Sequence, residues 1–491
     1  MSLSVSIRVA DAADLATPAL FVPVFQSTEL PAGLAGLNAA IGGGLASAWA
    51  SGDFTGKTDE TVLVHGRGSL TRVVMLGMGD AEKGTASMIR RAAMTAGKRA
   101  RTLGVPTAAF LVPTSTLPAR DLGRAIGEGL PYGAWYYGDL KRPPKDPKPD
   151  LTAIEVIRPT ADHEFEAGMQ VGLSIAAGQS LTRGLQVLPS DVCTPAYLAE
   201  QATGIGSRHG MKVTVLDKAG LERERMGAIL AVGKGSTNEP RFIVLEYNGG
   251  EGAPIVLIGK GVTFDAGGIS IKPAAGMEEM KYDMSGAAAV LGTMEALGRL
   301  KPKVNVIALV PSAENMVSGS AYRPGDVVHT HLGKTIEVLN TDAEGRLLLA
   351  DALSWAHRYE PSAVVDCATL TGAVVIGLGH AASGVLGTDA NVVRDLIAAG
   401  ESSDERLWEL PLWDDYFEHI KSDIADMKNT GGRPAGTITA AMLLREFAEG
   451  MPWAHIDIAG TAYTERDRPM HVKGPTGVLV RLFCAFVLAR A

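Results

Sequence analysis

The stretch Asn340-Thr341-Asp342-Ala343-Glu344-Gly345-Arg346-Leu347 sets two acids and an arginine at alternate positions in an otherwise apolar neighbourhood. Read as an extended segment, it puts Asp342, Glu344 and Arg346 on one face at roughly 6.5–7 Å intervals, because successive strand side chains point to opposite faces. Carboxylates that close repel each other unless a cation lies between them, so the pattern suits a metal-binding edge, and Gly345 lets the backbone approach closely. A lone D-x-E-x-R triplet is more often a solvated turn; a second cluster shifts the balance. Upstream, Gly259-Lys260-Gly261-Val262-Thr263-Phe264-Asp265-Ala266-Gly267-Gly268-Ile269-Ser270-Ile271-Lys272 runs on through Met277-Glu278-Glu279-Met280-Lys281-Tyr282-Asp283. Hard divalent ions take carboxylate oxygens, and glycine-flanked loops let several carboxylates converge.

Asp265, Asp283, Asp342 and Glu344 together carry a formal charge of −4, which two divalent cations would neutralise and without which the box is expected to be unstable. A two-metal site about 3.5–4 Å across lowers the pKa of a bridging water towards neutrality and polarises a carbonyl, as amide hydrolysis requires. The lysines fall into two kinds. One beside two cations is pushed towards its neutral form and can bind metal through nitrogen, whereas one slightly farther off stays charged and can stabilise an oxyanion.

The elements that must position these groups alternate short apolar runs with amphipathic stretches, the pattern of an α/β fold. In the first third, Met1 to Val9 alternates like a first strand, and Val62 to His65, Arg72 to Leu76 and Ala108 to Val112 read as further strands. A helix from about Thr85 to Leu103 would place Met88, Ala92 and Ala96 on one face. Gly77-Met78-Gly79-Asp80 lacks the full dinucleotide fingerprint and reads as a strand-to-helix turn. The proline-rich run Arg142 to Asp150 is an exposed loop, since Ala153 to Ile157 follows as a strand that completes the first domain. Later, Lys212 to Leu216, Arg241 to Glu246, Pro254 to Ile258, Val304 to Val310 and Ala363 to Val365 are strands between helical segments, as in a mostly parallel sheet covered on both faces. Ligands of such sheets bind beyond the strand carboxyl ends; Lys260 to Asp265 follows one strand, and the Asp342 segment follows Thr335 to Leu339.

At 491 residues the chain exceeds what one core supports. The expected architecture is α/β in two domains: a smaller N-terminal α/β domain over residues 1–165, a linking helix over 166–185, and a larger C-terminal α/β/α catalytic domain over 186–491 with a mostly parallel mixed sheet. Apolar residues make up 46% and charged residues 20%, a globular rather than disordered balance. The net charge is −8 with no basic run able to track a phosphate backbone, which argues against nucleic acid as a partner. The three cysteines, Cys193, Cys367 and Cys484, are odd in number and far apart, as expected of buried thiols in a reducing compartment. With no signal peptide or spanning segment indicated, the expectation is a cytoplasmic protein that does not enter membranes.

The two charged clusters resemble the leucyl aminopeptidase family, the cytosol aminopeptidases. The likeness extends through Asp366-Cys367-Ala368-Thr369-Leu370-Thr371-Gly372-Ala373, Asp426-Met427-Lys428-Asn429 and Trp453-Ala454-His455-Ile456-Asp457-Ile458-Ala459-Gly460-Thr461, whereas the first domain resembles the family only in its general α/β pattern. The resemblance implies a metal-dependent aminopeptidase of leucine type, assembled as a homohexamer with active sites facing an interior cavity, using two divalent ions, Zn or Mn. It implies that Asp265 and Glu344 bridge the ions, that Asp342 completes the more exchangeable site, and that Lys260 and Asp283 complete the tighter one. Lys272 would hold the scissile carbonyl oxygen, and Arg346 would anchor a bicarbonate acting as general base towards a metal-bound water. The peptide's free α-amino group would bind a metal, the backbone of Leu370 and Gly372 would align the substrate, and Met280 and Thr369 would help line the side-chain pocket. Of two departures, Ala266, where the family more often carries serine, is not itself a ligand and bears only on hydrogen bonding behind the ligands, and the stretch Leu188 to Pro195 bears on no catalytic role.

Other catalytic signatures are missing: His163-Glu164 lacks a second histidine at 167, and there is no G-x-S-x-G elbow or Walker loop. His455, in an apolar strand-like run, reads as a core histidine. Two further readings stay open, a two-metal phosphohydrolase, because carboxylates and lysines also suit phosphate esters, and an accessory DNA-binding role beside the peptidase.

Overall fold

Short apolar runs between turn signals become the strands of two separate sheets. The computed structural model describes residues 3–66, 68–467 and 473–491. It divides into two compact units, residues 1–177 with 467–472, and residues 178–466 with 473–491; the division falls within one long helix, His163–Val187.

In the first unit, β1 (Ser4–Val9), β2 (Leu20–Val24), β3 (Thr61–His65), β4 (Arg72–Gly77), β5 (Thr107–Leu111) and β6 (Ala153–Arg158) form a sheet of order β1-β6-β5-β2-β4-β3. All neighbours are parallel except β3 and β4. The expected first-strand residues Met1 and Ser2 lie outside the described residues. Strand β2 has no counterpart among the expected strands, and it carries Pro23, a residue unusual in an interior strand, in register with Leu76 of β4. It is tolerated because β2 pairs with β5 only at Leu20 and Phe21, leaving the proline beyond that ladder. Alternate β2 residues serve two cores, Phe21 on one face and Leu20, Val22 and Val24 on the other. The helix Ala86–Leu103 starts where the Thr85 hydroxyl accepts the Met88 N–H and stops at Gly104 with φ +69°. The proline-rich run is an exposed loop.

The second unit is built on β7 (Lys212–Leu216), β8 (Arg241–Asn248), β9 (Ile255–Gly259), β10 (Gly261–Asp265), β11 (Asn305–Asn315), β12 (Val327–His329), β13 (Thr335–Glu337), β14 (Ala363–Ala368), β15 (Ser383–Gly387), β16 (Leu407–Glu409), β17 (Met427–Lys428) and β18 (Trp453–Asp457). Its nine-stranded sheet runs β16-β15-β18-β14-β9-β11-β8-β7, with β10 paired to β11. The centre, β18 to β11, is parallel, and antiparallel strands lie to either side. Val256 and Ile258 of β9 pack with Leu347, Leu349 and Leu353 of the helix Gly345–Ala356. The intervening Leu257 faces the other way, where the helix Ser285–Leu300 contacts the same strands. Among the described residues no helix is long and apolar enough to cross a membrane, and all three cysteines are buried.

Two expectations need correction. The strand before Asp342 is only three residues long and belongs to a small separate sheet, β12-β13-β17, not to the large one. It ends at Glu337 because Asn429 Oδ1 takes the next free donors, the Leu339 and Asn340 N–H groups at 2.8 and 3.3 Å. Residues 341–344 are turn and coil rather than strand, and Arg346 already lies in the helix that opens at Gly345. Asp342, Glu344 and Arg346 therefore do not share a strand face.

Candidate metal centre

The charged groups collect where the central parallel strands end. Strand β9 stops at Gly259, and the Lys260 N–H donates to the Cys367 carbonyl of β14 at 3.0 Å, seating the lysine between two strand ends. A Cβ on Gly259 would lie 2.3 Å from the Gly286 carbonyl, so only glycine lets the helix Ser285–Leu300 come this close. Lys260 is buried, and its Nζ reaches Asp283 Oδ1 and Glu344 Oε1, each at 2.8 Å, and the Thr369 carbonyl at 2.9 Å. Gly345 has a related role: a Cβ there would stand 2.7 Å from Lys260 Nζ.

Asp265 closes β10. Its Oδ1 accepts from the Gly267 N–H at 2.9 Å and the Asn315 amide at 2.8 Å, while Oδ2 meets Lys272 Nζ at 2.8 Å. The second partner of Lys272 is Asp342 Oδ1. Gly267 and Gly268 have φ of +86° and +66°, and a Cβ on Gly267 would sit 2.9 Å from Asp342 Oδ1. The turn holding Asp342 is shaped by Asn340, whose side-chain oxygen accepts the Asp342 N–H at 2.9 Å. Glu344 stands immediately before the helix Gly345–Ala356, without a capping side-chain hydrogen bond, at the end where a carboxylate is favoured.

The structure thus brings Asp265, Asp342 and Glu344 together, with one oxygen from each lying within 4.8 Å of the others. Asp283, on the 3₁₀ helix Met277–Met284, joins them through Lys260 and accepts the Thr369 hydroxyl at 2.7 Å. Each lysine bridges two of the acids, so the four charges are partly offset within the chain. Burial and the nearby carboxylates Glu344 and Asp265 push the Asp283 carboxyl well above its ordinary range, against the pull of Lys260. Burial and Asp265 likewise raise Glu344 and Asp342. Burial alone would lower Lys260, but Asp283, Glu344 and Asp265 outweigh it and hold the ammonium above the usual lysine range. Among protein groups alone Lys260 is therefore charged, and the neutral amine expected of it requires nearby ions.

The donor set fits a divalent metal. Asp283 Oδ2 and Glu344 Oε2 are buried without a hydrogen-bond partner, which leaves costly free acceptors of the hard-oxygen kind such ions take. Arg346 is also buried; its Nη1 donates to the Asn429 carbonyl at 2.7 Å, whereas Nε is buried without a partner. Burial lowers its pKa to about 10, against the pull of Glu344 and Asp457.

Every expected site residue, Lys260, Asp265, Lys272, Met280, Asp283, Asp342, Glu344, Arg346, Thr369, Leu370 and Gly372, lines one cavity of about 590 Å³. Supporting residues to which the sequence reading gave no role lie behind them. Asp457 accepts the Leu370 N–H at 3.1 Å and the Thr371 hydroxyl at 2.6 Å, fixing the loop that carries Thr369 to Gly372. Asn429 donates to the Asn340 carbonyl at 2.6 Å and so ties the Asp342 turn to the Arg346 partner. Asp457 and Asn429 lie in segments matching the resemblance, but neither carries a local pattern that signals support. His455 is buried in β18 with Nδ1 at 2.5 Å from Asp366 Oδ1, a core position rather than a metal ligand.

Comparison with known proteins follows the same division. The model of the cytosol aminopeptidase family catalytic domain matches residues 180–484, and that of the family's N-terminal domain matches residues 21–144. The second match goes beyond the general α/β likeness read from the sequence. The "Probable cytosol aminopeptidase" of Geobacter sulfurreducens is 44% identical over 491 residues, covering 99% of both chains. That of Roseiflexus castenholzii is 44% identical, covering 98% of each. Among solved structures, a mutant tomato leucine aminopeptidase superposes with a TM-score of 0.90 at 32% identity, over 99% of this chain and 97% of that one. The bottromycin maturation enzyme BotP in complex with Mn gives 0.86 at 32%, over 97% and 100%.

Proposed function

The chain belongs to the cytosol aminopeptidase family and is an aminopeptidase; on that premise we propose that it hydrolyses the N-terminal bond of peptides with two divalent ions, Zn or Mn, at a leucine-type site. The observation that carries this reading is the convergence of Asp265, Asp342 and Glu344 within 4.8 Å, with Lys272 and Arg346 lining the same cavity. Lys260 and Asp283 would hold one ion, Asp342 would complete the other, and Asp265 and Glu344 would be shared. When bound, the ions supply Lewis acidity, polarising a carbonyl and lowering the pKa of a water to about 7.

The chain's own groups do the rest. Lys272 is partly open, at 21% side-chain exposure, and its two carboxylate partners keep it an ammonium despite burial. It takes the scissile carbonyl oxygen and stabilises the negative charge that develops there. Arg346, whose Nε is buried without a partner, would hold a bicarbonate, and that group when bound would supply a general base. The backbone of Leu370, whose N–H is held by Asp457, and of Gly372, which opens the next helix, would align the peptide. Met280 and Thr369 line the side-chain pocket beside the apolar Ala373, Val375 and Ile376, in keeping with a leucine-type residue.

The reading includes a homohexamer organised by the N-terminal domain of residues 1–165, joined through a linking helix over 166–185 to the catalytic domain of 186–491, and a cytoplasmic location. Large apolar side chains left exposed on the second unit, Trp408, Trp413 and Ile424, support further subunit contacts there, beyond those of the N-terminal domain. The test pairs leucine p-nitroanilide with p-nitrophenyl phosphate in added Mn²⁺. Amide cleavage lost on chelation and in Asp342→Asn is the expected result; turnover of the phosphate ester alone would overturn the peptidase reading.

A further inference from the structure

Asn315 is the last residue of β11, fully buried, and in register with Asp265 at the end of β10. Its amide nitrogen donates twice, to Asp265 Oδ1 at 2.8 Å and to the Thr341 carbonyl at 2.9 Å. Both partners are pure acceptors, so the NH₂ group must face them. The Asn315 oxygen has no hydrogen-bond partner and faces Gly268, where a Cβ would lie 2.7 Å away. One side chain therefore spends both its donors on the two segments that carry Asp265 and Asp342. The join is reinforced on each side. The Ala266 N–H donates to the Asn315 carbonyl at 3.0 Å, the Thr341 hydroxyl to the Gly267 carbonyl at 2.6 Å, and the Tyr322 hydroxyl to the Thr341 carbonyl at 2.8 Å.

We propose that Asn315 is the positioning residue of the metal centre. By holding Asp265 Oδ1 it turns Oδ2 into the cage, and by gripping the Thr341 carbonyl it locks the Asp342 turn to the end of β10. It touches neither ion nor substrate. This inference rests on the two-ion reading, because orienting Asp265 matters to catalysis only if Asp265 is a ligand. Without the amide, Asp265 Oδ1 keeps only the Gly267 N–H, and the Thr341 carbonyl loses its tie to the end of β11, leaving the two ligand segments joined through the Thr341 hydroxyl and Ser270.

The experiment titrates Mn²⁺ calorimetrically into the chelated, desalted full-length protein and its Asn315→Ala and Asn315→Asp variants, with melting temperatures and leucine p-nitroanilide kinetics alongside. Val310→Ala, a fully buried truncation on the same strand, controls for plain loss of stability. The Mn²⁺ dissociation constant is expected to rise about 10- to 100-fold in Asn315→Ala, the usual effect of removing a partner of a ligand. The rise should be at least as large in Asn315→Asp, where a carboxylate replaces the donor. KM at saturating Mn²⁺ should hold steady, and Val310→Ala should bind Mn²⁺ like the parent. Parental affinity in the Asn315 variants, or an equal loss in Val310→Ala, overturns the proposal alone. A parent protein that takes up no Mn²⁺ overturns it together with the two-ion reading. If Asn315→Ala is insoluble, the isosteric Asn315→Asp decides by the same outcomes.

Discussion

Lys260 is the residue on which the centre closes, and its neighbours show how little space surrounds it. A methyl group at Gly345 would meet its Nζ at 2.7 Å, so Gly345→Ala should displace the lysine and weaken Mn²⁺ binding by about 10-fold or more, read by calorimetry. Lys272 poses a different case, because it binds the two carboxylates and faces the cavity. Lys272→Ala should lower kcat for leucine p-nitroanilide by about 10²–10³-fold, the usual cost of an oxyanion donor, with a smaller change in KM. These residues were legible in the sequence because acids, lysines and glycines recur in two tight clusters. Asn315 was not. It ends an apolar strand with no charged neighbour in sequence other than Glu314, and its importance arises only when register places it beside Asp265. Asp457 and Asn429 were hidden for the same reason: their partners are 80 or more residues away in the chain.

At the scale of elements, the parallel strands and the main helices follow from apolar runs and turn residues, and most appear within two or three residues of where the sequence places them. The exceptions are set by tertiary partners. Strand β11 runs to Asn315, five residues past the expected Val310, because β10 pairs with its far end. The Asp342 segment reads as extended from its alternation, yet Asn429 and Asn340 bend it into a turn and Gly345 opens a helix. That helix is anchored one and a half turns later by Asp351, whose carboxylate accepts the N–H groups of Ala228, Ile229 and His331 at 3.0, 3.0 and 2.8 Å. Burial raises its pKa from 3.8 to about 7 despite those donors. Between these values the folded chain holds a proton that the unfolded chain releases, so this group's contribution to stability falls as pH rises through the window. Asp351→Asn should flatten that part of the dependence; melting temperatures measured from pH 4 to 8 would show it, and an unchanged slope would speak against a protonated Asp351.

For the whole molecule, two α/β units were readable from length and pattern, but the identity of the first was not, since its sequence offers no chemical cluster to anchor a comparison. The proposed assembly is likewise invisible in periodicity, and its support is a set of large apolar side chains that are exposed, Trp408, Trp413 and Ile424. If these form subunit contacts, Trp413→Lys combined with Ile424→Lys should shift the mass measured by light scattering from about six chains towards smaller species while the monomer fold persists. A mass of one chain for the parent protein would remove the hexamer from the reading. One earlier feature reaches beyond catalysis: Lys260 and Lys272 each join a pair of the acids, so the cage has internal counterions. Protein stripped by EDTA should then keep a single cooperative melt and recover its rate within the time of mixing when Mn²⁺ returns, with no renaturation step. On this view scarcity of ions idles the enzyme without condemning it, and supply sets how much of an intact reserve is at work.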